Sequence, residues 1–193
     1  MTVQRDAVVK QLMHLRPKNQ EGIISGCNVL LNELPVAFWN NFTKRILEVV
    51  PPEKHDIVEA GLVKSANECG YYTGYGIITS DEFKAVVEPM ITEGSKDILR
   101  GAFAVFTAWG WAKSGIVQIK EKERLVIRAV DYYEADGEPG NNRAYMIRGI
   151  SAAFFDLAYG EPYPDGLGKY SCEQTHGIES GDEFGEFVVT EKS

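Results

Sequence analysis

The chain of 193 residues is 44% hydrophobic and 25% charged, which suits one domain over residues 1–193 with a substantial core. The net charge of −8 argues against a nucleic acid or an anionic membrane as partner, because neither is attracted to an acidic surface. No apolar stretch reaches the roughly 18 residues of a transmembrane helix. Three scattered cysteines do not form a disulfide framework, so a cytoplasmic location is the simplest expectation.

The first 113 residues carry the apolar spacing that is typical of helices. Phe38 and Phe42 share one face of a helix that Pro35 opens and Pro51 ends. Ser80 is placed to cap a later helix. Before Pro35, a short apolar segment predicts one or two strands. The predicted helices lie at 8–15, 35–50, about 52–78, 80–91 and 95–113.

After residue 113 the apolar pattern changes to that of strands and one helix. Two alternating runs, 116–119 and 125–131, flank a charged turn and predict an antiparallel hairpin. A helix follows at 143–160, and two more short strands are predicted around 168–172 and 183–190. The order helices–hairpin–helix–hairpin predicts an α+β fold, with the helices packed on one antiparallel sheet.

Aromatic residues and glycines cluster on the predicted helices, a pattern typical of a pocket for a small apolar or aromatic ligand. Alternatively, the rings simply fill the core, as apolar stripes on helices usually do. Cys69 lies among small residues and is expected to be buried and unreactive. The candidate ligand-binding residues are Tyr72, Tyr75, Phe103, Phe106, Trp109, Trp111 and Phe154.

The segment KYSCEQTHGIESGDEFGEF, at 169–187, is the chemically densest part of the chain. Cys172, Glu173 and His176 are its candidate metal ligands, with zinc as the candidate cofactor. Neighbouring residues on a strand point to opposite faces, so Cys172 and Glu173 bind one ion only if a bulge intervenes. A turn at 175–177 would bring Cys172 and His176 together. The alternative is a strand end with solvated carboxylates.

The segment 143–189, about a quarter of the chain, resembles the 4-vinyl-reductase domain family. The resemblance rests on a helix ending in Gly160, then a strand, then Glu173, His176 and Gly181–Asp182 at the family's spacing. That family includes hydrocarbon-binding proteins and sensors of aromatic compounds. It is similar in fold to transport-particle subunits that carry an acyl chain in an internal tunnel.

The resemblance also implies a zinc site, which family members build from cysteines and a glutamate. Glu173 matches the glutamate, and His176 stands where the next cysteine usually follows. Tyr145 and Phe184 stand near the positions of the other two cysteines. Two of four ligands are therefore missing, and Cys172 is a thiol outside the pattern.

The leading hypothesis is a protein that binds a small hydrophobic or aromatic molecule and is not an enzyme. It would be a sensor or an accessory subunit in aromatic, hydrocarbon or pigment metabolism. The resemblance implies a two-fold homodimer, for which the face carrying Phe38 and Phe42 is a candidate surface. The alternatives are a metal-assisted, reductase-type enzyme and a structural subunit with a vestigial pocket.

Overall fold

A computed structural model describes residues 2–13, 24–31, 34–136 and 144–192. Three predicted boundaries lie outside these residues. They are the end of the first helix at Leu15, the proline that stops it, Pro17, and the start of the resembling segment at Arg143. The helices and strands are α1 (Arg5–Leu12), β1 (Ile24–Gly26), β2 (Val29–Leu31), α2 (Val36–Val49), α3 (His55–Thr79), α4 (Asp81–Val86), α5 (Ser95–Ala108), β3 (Ala112–Lys120), β4 (Arg124–Tyr132), α6 (Tyr145–Tyr159), β5 (Tyr170–His176) and β6 (Gly185–Glu191).

The predicted α+β architecture is confirmed. Strands β3 to β6 form one antiparallel sheet in the order β3-β4-β6-β5. Along β4, the side chains of Leu125, Ile127 and Ala129 are buried whereas Arg128 and Val130 are exposed, so one face of the sheet covers the core. Helices α5 and α6 pack on that face. The β1–β2 hairpin forms a separate two-stranded sheet in the first half of the chain.

Helix α5 ends five residues before its predicted end. Gly110 adopts a φ of 77°, a left-handed conformation that favours glycine and terminates the helix. Trp109 and Trp111 therefore lie in the connection to β3, not on a helix. The predicted cap of α4 is confirmed, because the Ser80 Oγ accepts a hydrogen bond from the Phe83 N–H at 3.1 Å.

Helices α3 and α6 pack against each other at unusually close range. A Cβ at Gly149 would lie 2.4 Å from the Val63 carbonyl oxygen, and a Cβ at Gly70 would lie 2.9 Å from the Ile150 Cα. Glycine is required at both positions because larger side chains would separate the two backbones. This contact fixes one side of the cavity described below.

The β1–β2 hairpin is anchored by its turn. Cys27 and Asn28 adopt φ angles of 51° and 59°, as a two-residue type I′ turn requires. The Cys27 side chain is fully buried beside Ile77 and Phe83, in a second hydrophobic cluster that also includes α1 and α4. Among the helices of the described ranges, none is long and apolar enough to cross a membrane.

Candidate functional site

A cavity of about 480 Å³ lies between α3, α6, the end of α5, α2 and the β1–β2 hairpin. Its volume falls within the range usual for small-molecule sites. The residues lining it are Met13, Ile24, Val29, Leu30, Leu31, Trp39, Cys69, Gly70, Thr73, Ile77, Phe106, Ala108, Trp109, Gly110, Trp111, Met146, Ile150 and Phe154.

Aromatic rings form one wall of the cavity. The Phe106 ring lies 5.5 Å from the Trp111 ring and 6.1 Å from the Phe154 ring, measured between centroids. Tyr133, behind Trp111, meets it edge-on at 5.5 Å. Such edge and tilted contacts stabilise the rings in fixed orientations. The wall is therefore rigid and offers ring faces and edges to a ligand.

The polar groups of the cavity wall are few and uncharged. Among the described residues, Trp109 Nε1 is buried and has no hydrogen-bond partner. The Cys69 Sγ lies 3.8 Å from the Thr73 Oγ1, one helical turn along α3. No Asp, Glu, Lys, Arg or His is among the lining residues of the described part. The wall thus suits an uncharged ligand, since a charge buried there would remain unpaired.

The structure brings together four of the seven predicted ligand-binding residues. Phe106, Trp109, Trp111 and Phe154 line the cavity. Phe103 is buried one layer behind, with its ring 5.3 Å from that of Phe154. It supports the wall from the core side.

Tyr72 and Tyr75, by contrast, do not line the cavity. Tyr72 is 57% exposed, and the Tyr75 ring stacks on that of Tyr163 at 3.7 Å on the outer surface. The physical reason is the rotation of α3 about its axis. Residues Gly70, Thr73 and Ile77, three to four apart, face the cavity, and the two tyrosines lie around the helix from them.

Sequence reasoning missed most of the other residues of the cavity wall, among them Cys69 and Trp39. Cys69 is exposed and lines the cavity, not buried as expected. The available signal was its spacing of four residues from Thr73, which places both side chains on one face of a helix. Trp39 of α2 also lines the cavity, although the periodicity of α2 placed Phe38 and Phe42 on its apolar face.

The structure does not bring Cys172, Glu173 and His176 together. Cys172 is 3% exposed, and burial raises the pKa of its thiol to about 12. Glu173 is exposed on the other face of β5. A bulge between Gln174 and His176 shifts the register and turns His176 to the side of Glu186, at 3.6 Å.

The described residues therefore do not fit a zinc site. No group of three His, Cys, Asp or Glu side chains in these ranges is arranged to hold a metal ion. A neutral, buried thiol is also a poor ligand, because zinc binds the thiolate.

Glu134 supports the cavity from behind, in the turn that follows β4. Its carboxylate accepts hydrogen bonds from the backbone N–H groups of Met146 and Ile147, at 3.0 and 2.9 Å, in the first turn of α6. These bonds satisfy N–H groups that a helix start otherwise leaves open. Burial nevertheless raises the pKa of Glu134 to about 8. Since Met146 lines the cavity, Glu134 positions part of its wall.

Comparison with known proteins identifies the fold. No family model and no curated protein matches the chain. The phenol-responsive sensory domain of the transcription activator PoxR, solved with phenol, is 12% identical, with a TM-score of 0.72. The alignment covers 97% of this chain and 89% of that chain.

Two further solved structures are similar to the chain. Subunit 3 of a trafficking protein particle complex from Naegleria fowleri, covalently bound to palmitic acid, is 14% identical, with a TM-score of 0.56 over 82% of this chain and 93% of that chain. A vinyl-4-reductase family protein from Methanocaldococcus jannaschii is 14% identical, with a TM-score of 0.46 over 84% and 85%. The predicted similarity in fold to transport-particle subunits is confirmed.

Proposed function

We propose that this chain is a cytoplasmic protein that binds a small, uncharged apolar or aromatic molecule, as a homodimer. The observation that carries the proposal is the cavity: it is lined by three tryptophans and two phenylalanines and by no charged side chain of the described part. Burial of an apolar ligand there contributes about 25 cal/mol per Å² of area removed from water. A protein of the same fold, the PoxR sensory domain, responds to phenol, which supports the ligand class.

We further propose that the ligand carries a hydrogen-bond acceptor. The Trp109 side chain lines the cavity, and its buried Nε1 donor lacks a partner among the described residues. A buried donor without an acceptor costs about 1–3 kcal/mol. A ligand oxygen that reaches this N–H would remove that cost, and in that arrangement phenol is favoured over toluene. A role as a sensor or as an accessory subunit of aromatic or hydrocarbon metabolism is consistent with such binding.

The experiment is calorimetric titration of the purified chain with phenol, toluene and benzoate, after extraction and mass spectrometry of any co-purified molecule. We expect phenol to bind and benzoate to be rejected, because its carboxylate would be buried without a partner. A chain that binds neither phenol nor toluene, and that releases no molecule on extraction, would contradict the proposal.

Two variants make the test specific to the cavity. Trp109→Phe keeps a ring but removes the donor, and we expect phenol to bind about 5- to 10-fold more weakly, with toluene nearly unchanged. Tyr72→Phe is the matched control: it removes a polar group from an aromatic residue outside the cavity and should leave both affinities unchanged.

A further inference from the structure

The cavity is several times larger than one aromatic ring requires. A cavity of about 150 Å³ with an apolar lining is enough to hold one benzene molecule. The cavity beside α3 has a volume of about 480 Å³, about three times as much. A single ring such as phenol would leave most of this space unfilled, and the wall atoms around the unfilled part would lose their van der Waals contacts.

Water is a poor filling for the remaining space. An ordered internal water needs about two to four polar partners. Among the described lining residues, the polar side-chain atoms are three indole N–H groups, one thiol and one hydroxyl, and the other side chains are hydrocarbon or thioether. Most of the wall therefore offers water no partner, and the space is better filled by the ligand itself.

The cavity is also long. On α3 its wall runs from Cys69 through Gly70 and Thr73 to Ile77. The eight residue steps from Cys69 to Ile77 correspond to about 12 Å along the helix axis, at about 1.5 Å per residue. Neighbouring rings in aromatic contacts lie about 4.5–7 Å apart between centroids. Two rings in line therefore match this length better than one ring does.

Different parts of the fold approach α3 along this stretch. At Gly70, a Cβ would lie 2.9 Å from the Ile150 Cα of α6. At Gly76, a Cβ would lie 3.0 Å from the Val29 Cγ2 of the β1–β2 hairpin. Ile150 and Val29 both line the cavity. The cavity thus extends along α3 from its contact with α6 to its contact with the hairpin.

Aromatic side chains reach the cavity from four parts of the chain. Trp39 lies on α2, Phe106 on α5 and Phe154 on α6, and Trp109 and Trp111 lie in the connection to β3. Contacts between aromatic rings add to the gain from area burial. Because the wall rings come from several elements, a second ligand ring also finds aromatic partners. A rigid pair of rings also loses less conformational entropy on binding than a flexible alkyl chain of the same size.

We infer that the ligand of this cavity has two linked aromatic rings, which lie in line along α3, and at least one oxygen. The inference rests on the proposed function and narrows its ligand class, so that phenol is a fragment of the ligand and not its full size. The volume sets the number of rings, the length along α3 sets their arrangement, and the buried Trp109 N–H sets the oxygen.

Calorimetric titration with three phenols tests the ligand class. 4-Phenylphenol adds a second ring to phenol, and 4-hexylphenol adds the same number of carbons as a flexible chain. We expect 4-phenylphenol to bind about 10- to 100-fold more tightly than phenol, because a whole second ring is buried. It should also bind more tightly than 4-hexylphenol.

Equal affinities for phenol and 4-phenylphenol would overturn the inference and leave the proposed function standing. Tighter binding of 4-hexylphenol would also overturn it, because the space beyond the first ring would then suit a chain. Binding of none of the three phenols would instead count against the proposed function, so the two failures are distinguishable.

Variants that fill part of the cavity show whether the second ring occupies it. Cys69→Phe and Thr73→Phe each add a ring to the α3 wall, and we expect the preference for 4-phenylphenol over phenol to fall about tenfold. Glu68→Phe is the matched control, because it adds the same ring at an exposed position of α3 that does not line the cavity. It should keep the preference of the unmodified chain.

Thermal unfolding shows which of these variants keep their fold, and two cavity positions are used so that the loss of one variant leaves the other. A preference for 4-phenylphenol that stays as large in the folded cavity variants as in Glu68→Phe would place the second ring outside the cavity. That result would overturn the inference.

Discussion

The rings of His176 and Phe184 lie 5.5 Å apart, and the Arg128 guanidinium sits 4.6 Å from the Phe184 centroid. Glu186 pairs with Arg128 at 2.8 Å and with His176 at 3.6 Å. The hydrogen bond from Arg128 lowers the pKa of Glu186. At two positions where the resemblance implies zinc ligands, the connection between β5 and β6 is held by ring and charge contacts.

We expect the purified chain to contain far less than one equivalent of zinc. His176 pairs with Glu186 and its ring contacts that of Phe184, and Cys172 is buried in the core as a neutral thiol. Elemental analysis after dialysis checks this. His176→Ala should leave the metal content unchanged. It should also change the free energy of unfolding by no more than about 1 kcal/mol, since exposed ion pairs contribute little. One zinc per chain that is lost in His176→Ala would contradict the prediction.

Cys69 should be the one thiol that reacts quickly in the folded chain. Cys27 and Cys172 are buried, and burial raises the pKa of each thiol, whereas Cys69 is exposed at the cavity. Titration with a chromogenic disulfide should show one fast thiol per native chain and three after denaturation.

Cys69→Ser should abolish the fast reaction and leave the two slow thiols. Saturating phenol should slow the reaction of Cys69, because Cys69 lines the cavity. A fast thiol that persists in Cys69→Ser would show that Cys27 or Cys172 is accessible.

Gly149→Ala should destabilise the fold by about 3 kcal/mol, the upper end of the cost of overpacking. The new Cβ would lie 2.4 Å from the Val63 carbonyl oxygen and 2.7 Å from the Asn67 nitrogen, both of them backbone atoms that a side-chain rotation does not move. Helices α3 and α6 would have to separate.

Gly61→Ala, on α3, is the control for this variant. No atom lies within 4 Å of a Cβ built there, so alanine should stabilise the helix by about 0.5–1 kcal/mol. Urea unfolding measures both changes. Equal effects of the two substitutions would contradict the close contact between α3 and α6.

Glu134 should make the chain less stable as the pH rises. Burial raises the pKa of its folded-state carboxyl from 4.5 to about 8, so between these values the folded chain holds a proton that the unfolded chain has released. The contribution of this group to stability is complete below about pH 4.5 and is lost as the pH rises to about 8.

Glu134→Gln removes this titration and should flatten the fall in the free energy of unfolding over that pH range. Urea midpoints at a series of pH values measure the difference, and Glu173→Gln, at an exposed position of β5, is the control. Identical pH profiles for Glu134→Gln and the unmodified chain would contradict the role of Glu134.

The order of helices and strands could be predicted because each element has a recognisable pattern in its own stretch of sequence. The alternation of Leu125, Ile127 and Ala129, and the cap at Ser80, depend only on neighbours in the chain. The end of α5 was mispredicted because apolar spacing continues through Trp109 and Trp111. The left-handed Gly110 overrides that spacing.

The cavity could be predicted only in part, because its wall depends on how whole elements are rotated and aligned. The second half of α3, residues 69–78, carries no charged residue, so periodicity did not distinguish the side of Thr73 from that of Tyr72. The position of His176 depends on the bulge in β5, which is set by the register with β6. Such long-range information is absent from local patterns.

The glycine contact between α3 and α6 makes one side of the cavity harder to deform than the rest. The side formed by these helices is incompressible, since their backbones already meet at Gly70 and Gly149. Another part of the wall is Trp39 of α2, a helix that buries none of its residues. We therefore expect a bulkier ligand to displace Trp39 and α2 outward more readily than it separates α3 from α6, so that ligand size becomes movement of a surface helix.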